Sequence, residues 1–243
     1  MNIVAIIQAR LGSTRFPQKV FADLSGKPLI WHVINRLKYS TKINRIVLAT
    51  TDTDRDDELA IWADKEGVSV FRGSENNVLE RFYFAAKHYS ADIIVRITAD
   101  DPFKDPQIID SVIEKLILEN LDFAYNNNPP TFPEGLDTEV FTFDALEKAF
   151  LQSVDDYEKE HVTQYFYRNS NSFKQSNLST DNNLSYLRWT IDTEIDYEMS
   201  KQVYNHLYTD NNIFYMNDIL QLISREPDIA NINMGETRSA MYK

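Results

Sequence analysis

The sequence predicts an α/β fold, a mostly parallel sheet with helices on both faces, and three observations carry that reading. Short apolar runs at residues 3–7, 43–51, 68–71 and 92–99 alternate with segments whose apolar residues recur at helical spacing, the alternation that builds a parallel sheet. The runs are continuous rather than alternately polar, as strands covered on both faces require. They end in polar or acidic residues such as Asp52 and Asp100, and ligands in open α/β sheets bind beyond the carboxyl ends of the strands.

The elements follow in order. The first run opens into a loop holding Arg10, Gly12, Ser13, Thr14, Arg15 and Lys19. Pro28 sits at a helix start, and Leu29, Ile30, Val33, Ile34 and Leu37 recur with a helical period. The second strand leads to a helix over 54–66 closed by Gly67 at C′. A short third strand gives way to a polar loop, Arg72-Gly73-Ser74-Glu75, and a helix over 78–89. The fourth strand runs into Asp100-Asp101-Pro102, Pro106 opens another helix, and 122–127 is a strand before the Asn- and Pro-rich loop that ends the first half.

The second half alternates less regularly. It reads as a strand over 136–143, a helix capped by Asp144 and a helix over 155–167 carrying Glu160 and His161. A polar connection over 168–183 is expected to be mobile. A strand over 186–191 then runs into Asp192-Thr193-Glu194, followed by helices over 196–207 and 216–225 and a polar tail. With no internal repeat, 243 residues predict one main core.

Charge narrows the function. The chain carries 37 Asp and Glu against 25 Lys and Arg, a net −12, which argues against nonspecific nucleic-acid binding. Its first 22 residues nevertheless hold three cations and no acid. Two guanidiniums that can fork onto phosphate oxygens, a lysine and a glycine that lets backbone N–H groups approach an anion suit a triphosphate. Zero cysteines rules out disulfides and thiolate metal sites. There is no apolar run of membrane-spanning length and no secretion signal, so the expected location is the cytoplasm, with no membrane partner.

Three constellations could carry chemistry. Asp100, at the end of a strand and opposite the cationic loop, is a candidate magnesium seat, or else a cap for the following turn. Asp192 repeats the pattern of an apolar run ending in a carboxylate. It would join Asp100 at a metal if the two strands were neighbours, or else cap the next helix. His161, with Glu134, Asp137 and Glu139, is a candidate general base or contact to a substrate hydroxyl.

The string Ala9-Arg10-x-Gly-Ser-Thr-Arg15-x-Pro-x-Lys19, followed by Gly26-Lys-Pro-Leu-Ile, resembles the opening signature of the cytidylyltransferases that activate acidic sugars, the family of CMP-Kdo and CMP-sialic acid synthetases. The remaining strings are similar to the spore coat polysaccharide biosynthesis protein F branch. They are Arg72-Gly73-Ser74, Leu79-Glu-Arg-Phe, Arg96-Ile-Thr-Ala-Asp-Asp-Pro, Glu134-Gly-Leu-Asp-Thr-Glu-Val-Phe, Glu160-His-Val-Thr and Arg188-Trp-Thr-Ile-Asp.

The resemblance implies a Rossmann-like nucleotidyltransferase fold, similar to that of the A-type glycosyltransferases. It implies a single domain with a nucleotide-binding half at 1–125 and a smaller sugar-binding half at 126–243, through which a homodimer would form. The activity implied is transfer of CMP from CTP to a sugar acid or related acceptor, with Mg²⁺, in polysaccharide biosynthesis. Ala9, Arg10, Gly12, Ser13, Arg15 and Lys19 would hold the triphosphate, with Arg10, Lys19, Asp100 and Asp192 catalytic and the two aspartates on the metal. Asp52, Arg72 and Gly73 would lie near the base, and Glu139, His161 and Arg188 near the acceptor. The Kdo enzymes have Gly-Asp-Glu-Pro where this chain has Ala99-Asp100-Asp101-Pro102, and the 126–185 region lacks their sugar-binding pattern. The competing readings are a glycosyltransferase that consumes a nucleotide sugar and a nucleotide-binding homologue without catalysis.

Overall fold

The computed structural model describes residues 1–13, 15–210 and 212–237; Thr14 of the cationic loop lies outside them. Its centre is strand β1 (Ile3–Gln8), which pairs in parallel with β4 (Arg45–Thr51) on one side and β6 (Ile93–Thr98) on the other. Alternate residues of β1 feed two cores, as the two-residue period of a strand dictates. Ile3, Ala5 and Ile7 face one core, and Val4 and Ile6 face the other. Helices α1 (Leu29–Leu37), α2 (Asp57–Lys65) and α4 (Pro106–Leu118) cover the first face. Helices α3 (Val78–His88), α5 (Phe143–Gln152) and α7 (Gln164–Arg168) cover the second.

The seven-stranded sheet has the order β5-β4-β1-β6-β8-β7-β9, where β5 is Ser69–Gly73, β7 Phe123–Tyr125, β8 Glu139–Thr142 and β9 Gln175–Asn177. Only β8 runs against the rest, antiparallel to both β6 and β7. Its first residue, Glu139, is therefore level with Arg96 near the carboxyl end of β6. This reversal brings a second-half residue to the end of the sheet where the first half ends its strands.

Several elements differ from expectation. The cationic loop does not run directly into α1. A 3-10 turn (Lys19–Phe21) and a two-stranded hairpin of β2 (Asp23–Leu24) and β3 (Lys27–Pro28) come between them. Arg72 and Gly73 belong to β5 rather than to a loop. Thr142, not Asp144, caps α5, because its side chain accepts the N–H of Ala145. The helix expected over 155–167 is two short ones, α6 (Asp156–Glu160) and α7, broken where Val162 takes φ 49°. The 168–183 connection contributes edge strand β9 and the buried Phe173. Residues 186–191 form no strand, only one bridge between Arg188 and Glu134.

The core is likewise in three parts rather than one. Leu24, Phe103, Trp189, Tyr204 and Phe214 form a third cluster, enclosed by α8 (Glu194–Leu207), α9 (Met216–Arg225) and α10 (Pro227–Asn231). Residues 131–138 lie against 187–191, where Glu134 N–H donates to the Leu187 carbonyl and Trp189 N–H to that of Glu134. Gly135 makes the approach possible. At φ +103° a Cβ would stand 2.7 Å from backbone atoms of both Trp189 and Thr190. No helix among the described residues is long and apolar enough to cross a membrane.

Candidate active site

Beyond the carboxyl ends of β1 and β6, two cavities of about 650 Å³ and 320 Å³ adjoin. Gln8, Arg15, Thr98, Asp100, His161 and Asp192 line both. The larger is bounded by the 9–19 loop on one side and by Glu75, Asn76 and Arg81 on the other. The smaller is bounded by Arg96, Glu134, Asp137 and Glu139.

The loop is anchored at its base by Asp56, which is fully buried. Its carboxylate accepts the Leu11 N–H at 2.7 Å and the Thr51 hydroxyl. This fixes the point at which the chain leaves β1 and holds the polar loop against the end of β4. Gly12 packs on the guanidinium of Arg55.

Lys19 is the centre of the site. Its ammonium donates to Asp100 at 2.8 Å, to Asp192 at 3.0 Å and to the Ile191 carbonyl at 2.9 Å. Asp100 and Asp192, from distant parts of the chain, thus converge on a single atom. A backbone bond from Ile191 N–H to the Asp100 carbonyl braces the junction, with no strand pairing. Burial works against the Lys19 charge, but the two aspartates outweigh it and hold its pKa above the ordinary value. Burial likewise opposes the Asp100 carboxylate, yet Lys19 and Thr98 keep its pKa well below the usual range. Asp101 lines the smaller cavity but is held by the buried Lys104 at 2.9 Å and the Thr98 hydroxyl rather than by Lys19.

Helix capping is not the task of Asp192. Thr193 caps α8 and Asp196 completes the capping box. Asp192 instead meets Arg15 at 3.1 Å and Arg188 at 3.2 Å as well as Lys19. Arg10 stands 3.8 Å from Glu75. The three loop cations expected to await a phosphate therefore each face a carboxylate.

Of the expected acceptor residues, Glu139 and His161 line the smaller cavity. Glu139 pairs with Arg96 across the β6–β8 ladder and accepts the Tyr167 hydroxyl at 2.8 Å. Burial, with the Arg96 charge nearby, lowers the His161 pKa against the opposing pull of Glu160. Arg188 lines neither cavity. It is buried against Glu134, Asp192 and Asp196, which outweigh the cost of burial and raise its pKa. Asp52, Arg72 and Gly73 are also absent from both walls. Arg72 donates to the carbonyls of Thr51 and Thr53 and pairs with Asp57, tying β5 to the turn after β4.

Residues not singled out from sequence complete the walls, among them Gln8, Glu75, Arg81 and Gly135. Arg81 is 3% exposed, and burial together with the charge of Arg10 pushes its pKa down to about 10. It stood within the string Leu79-Glu-Arg-Phe, where an arginine in an apolar helical stretch was the available signal.

A family profile described as Cytidylyltransferase matches residues 4–229. An uncharacterised protein of Methanocaldococcus jannaschii is 40% identical, over 100% of this chain and 98% of its own length. Spore coat polysaccharide biosynthesis protein SpsF of Bacillus subtilis is 33% identical, over 94% of this chain and 97% of its own. A solved cytidylyltransferase from Leptospira borgpetersenii serovar Hardjo-bovis superposes with a TM-score of 0.91 at 34% identity, over 98% of this chain and 99% of the other. CMP:2-keto-3-deoxy-manno-octonic acid synthetase, solved with CTP, shares the fold with a TM-score of 0.65 at 17% identity, over 85% of this chain and 99% of its own.

Proposed function

The chain belongs to the cytidylyltransferase family, and from that premise we propose that it transfers CMP from CTP to a hydroxyl of a sugar acid or related acceptor, releasing pyrophosphate, in the synthesis of a surface polysaccharide or glycan. The observation that carries this reading is the Lys19 ammonium, on the wall of the larger cavity, held between Asp100 and Asp192, the two aspartates lining both adjoining cavities. One cavity presents the cationic loop to a triphosphate, and the other presents polar side chains of the second half to an acceptor. The name of the SpsF relative supports a polysaccharide pathway, and the CTP complex of the Kdo enzyme supports the nucleotide.

In this reaction the acceptor oxygen attacks the α-phosphorus. A P–O bond to the acceptor forms as the bond to the β-phosphate oxygen breaks, and the work lies mainly in positioning and charge stabilisation. Arg10, Ser13 and Arg15 hold the phosphates, and Lys19 places its charge where negative charge gathers on the leaving pyrophosphate. His161, whose pKa burial lowers and which lies on the shared wall, receives the acceptor's proton.

Two carboxylates converging on one cation are the donor set magnesium takes beside waters and phosphate oxygens. No group of three such ligands gathers among the described residues. Asp100 and Asp192 therefore fit a Mg²⁺ and would hold it, and bound there it would offset charge on the phosphates.

Incubation with Mg²⁺, each nucleoside triphosphate and a panel of sugar acids and neutral sugars, reading pyrophosphate, tests this. Release from CTP with an acceptor present is the expected result. No release with any acceptor from a protein that binds CTP would contradict it.

A further inference from the structure

Four of the described arginines are buried, Arg36, Arg81, Arg96 and Arg188, and three have their charge satisfied. Arg36 donates to the carbonyls of Lys104 and Phe214, both at 2.6 Å, and stacks on the Phe214 ring at 4.7 Å. Arg96 pairs with Glu139, and Arg188 with Glu134, Asp192 and Asp196. Arg81 differs. Its one hydrogen bond among the described residues runs to the Ser74 carbonyl at 2.6 Å. Among the described residues no carboxylate lies within ion-pair distance of it, and its Nε is buried with no acceptor.

A buried guanidinium left in this state costs stability, since buried charges are as a rule paired or hydrogen-bonded. Here the cost is concentrated at one place. Arg81 lines the larger cavity opposite the loop that carries Arg10, Ser13, Arg15 and Lys19, and after burial the strongest influence on it is another cation, Arg10, which Asp56, Asp52 and Glu75 oppose. The helix that carries it is fixed from outside the cavity. The Asn77 side chain caps α3, and Leu79 and Phe82 are buried in the core below. The guanidinium is thus held rigidly at the wall with donors to spare.

We infer that Arg81 is a nucleotide-binding residue that donates to a phosphate oxygen of the bound triphosphate, the anion lying between Arg81 and Arg10. This rests on the proposed CTP reaction and adds to it a contact on the wall opposite the loop. The ligand supplies the partner that the fold withholds, so the strain of the free state favours the bound one.

Calorimetric titration of wild type, Arg81→Met and Arg81→Lys with CTP, inorganic tripolyphosphate and cytidine, together with melting of each free protein, tests the inference. The expected result is that Arg81→Met binds CTP and tripolyphosphate about 10- to 100-fold more weakly and binds cytidine as wild type does. Its free form should melt at or above the wild-type temperature, because an unpaired buried charge has gone. Arg81→Lys should recover part of the affinity. Unchanged CTP affinity in Arg81→Met overturns the inference, and so does a lowered melting point accompanying the loss, which would make Arg81 a structural strut. Loss for cytidine with tripolyphosphate binding retained overturns the phosphate assignment. Failure of the wild type to bind CTP would instead remove the proposed function itself.

Discussion

Arg188 grips both oxygens of the fully buried Asp196 carboxylate, Nε to Oδ1 at 2.9 Å and a terminal nitrogen to Oδ2 at 3.2 Å. Asp196 also accepts the backbone N–H groups of Asp192 and Thr193 and the Asn233 amide, and Arg188 reaches on to Glu134 and Asp192. This pair therefore sets where Asp192 stands. Burial opposes the Asp196 charge, but Arg188 and Asn233 outweigh it and lower its pKa. Asp196→Ala should lower stability by about 3 to 5 kcal/mol, the range for breaking a buried pair, read by urea unfolding. A loss below 1 kcal/mol would deny the pair its structural role.

Asp192→Asn separates chemistry from folding. Thr193 and Asp196 do the capping, so the amide should leave the α8 cap intact and lower melting only through the weakened pairs with Lys19, Arg15 and Arg188, while turnover falls by roughly 100-fold, the scale of losing one electrostatic contribution at a transition state. Asp100→Asn should behave the same way, and the double variant should be little worse than either single one. Turnover near wild type in Asp192→Asn contradicts the site.

A pH dependence is built into His32. It is 2% exposed, its Nε2 lies 2.6 Å from the Leu24 carbonyl, and the rings of Tyr204 and Tyr208 flank it. Burial lowers its pKa from 6.5 to about 4. The unfolded chain therefore takes up this proton first. The contribution of His32 is full above pH 6.5 and is lost as pH falls through 6.5 toward 4, up to about 3 kcal/mol. His32→Gln should flatten this part of a stability-against-pH curve. An unchanged slope would exclude His32 as its source.

Gly135→Ala should cost about 1 to 3 kcal/mol, as strain at a glycine-only conformation does, because its Cβ would meet the backbone of Trp189 and Thr190. Gly135 also lines the smaller cavity, so acceptor KM should rise while CTP affinity holds. Equal stability and KM would show that the 131–138 segment tolerates displacement.

The parallel half was legible because both-face burial leaves a direct mark in sequence, the continuous runs that became β1, β4 and β6. The helix over 216–225 matches its expected bounds because apolar and polar residues alternate there at helical period. The run 186–191 reads as a strand because its residues from 187 on are buried, yet they pack on 131–138 and on the α8 cluster, with one bridge instead of a ladder. The break between α6 and α7 rests on a positive φ at Val162, a conformation that a β-branched residue gives no hint of. The loop cations, Asp100, Asp192 and His161 were legible as motifs. Their convergence was not, because the contact from Ile191 N–H to the Asp100 carbonyl joins segments far apart in the chain. Arg72 and Arg188 look like ligand-binding arginines in sequence, and only their partners identify them as ties within the fold.

The central claim, a site built for CTP, is tested most directly by calorimetric titration of the wild-type protein with CTP, UTP, ATP and GTP in Mg²⁺. The account predicts that CTP binds at least about 10-fold more tightly than the two purine nucleotides, a difference of roughly 1.4 kcal/mol. It also predicts that Lys19→Met abolishes most of that binding. Equal affinity for all four nucleotides, or CTP affinity untouched by Lys19→Met, would contradict it.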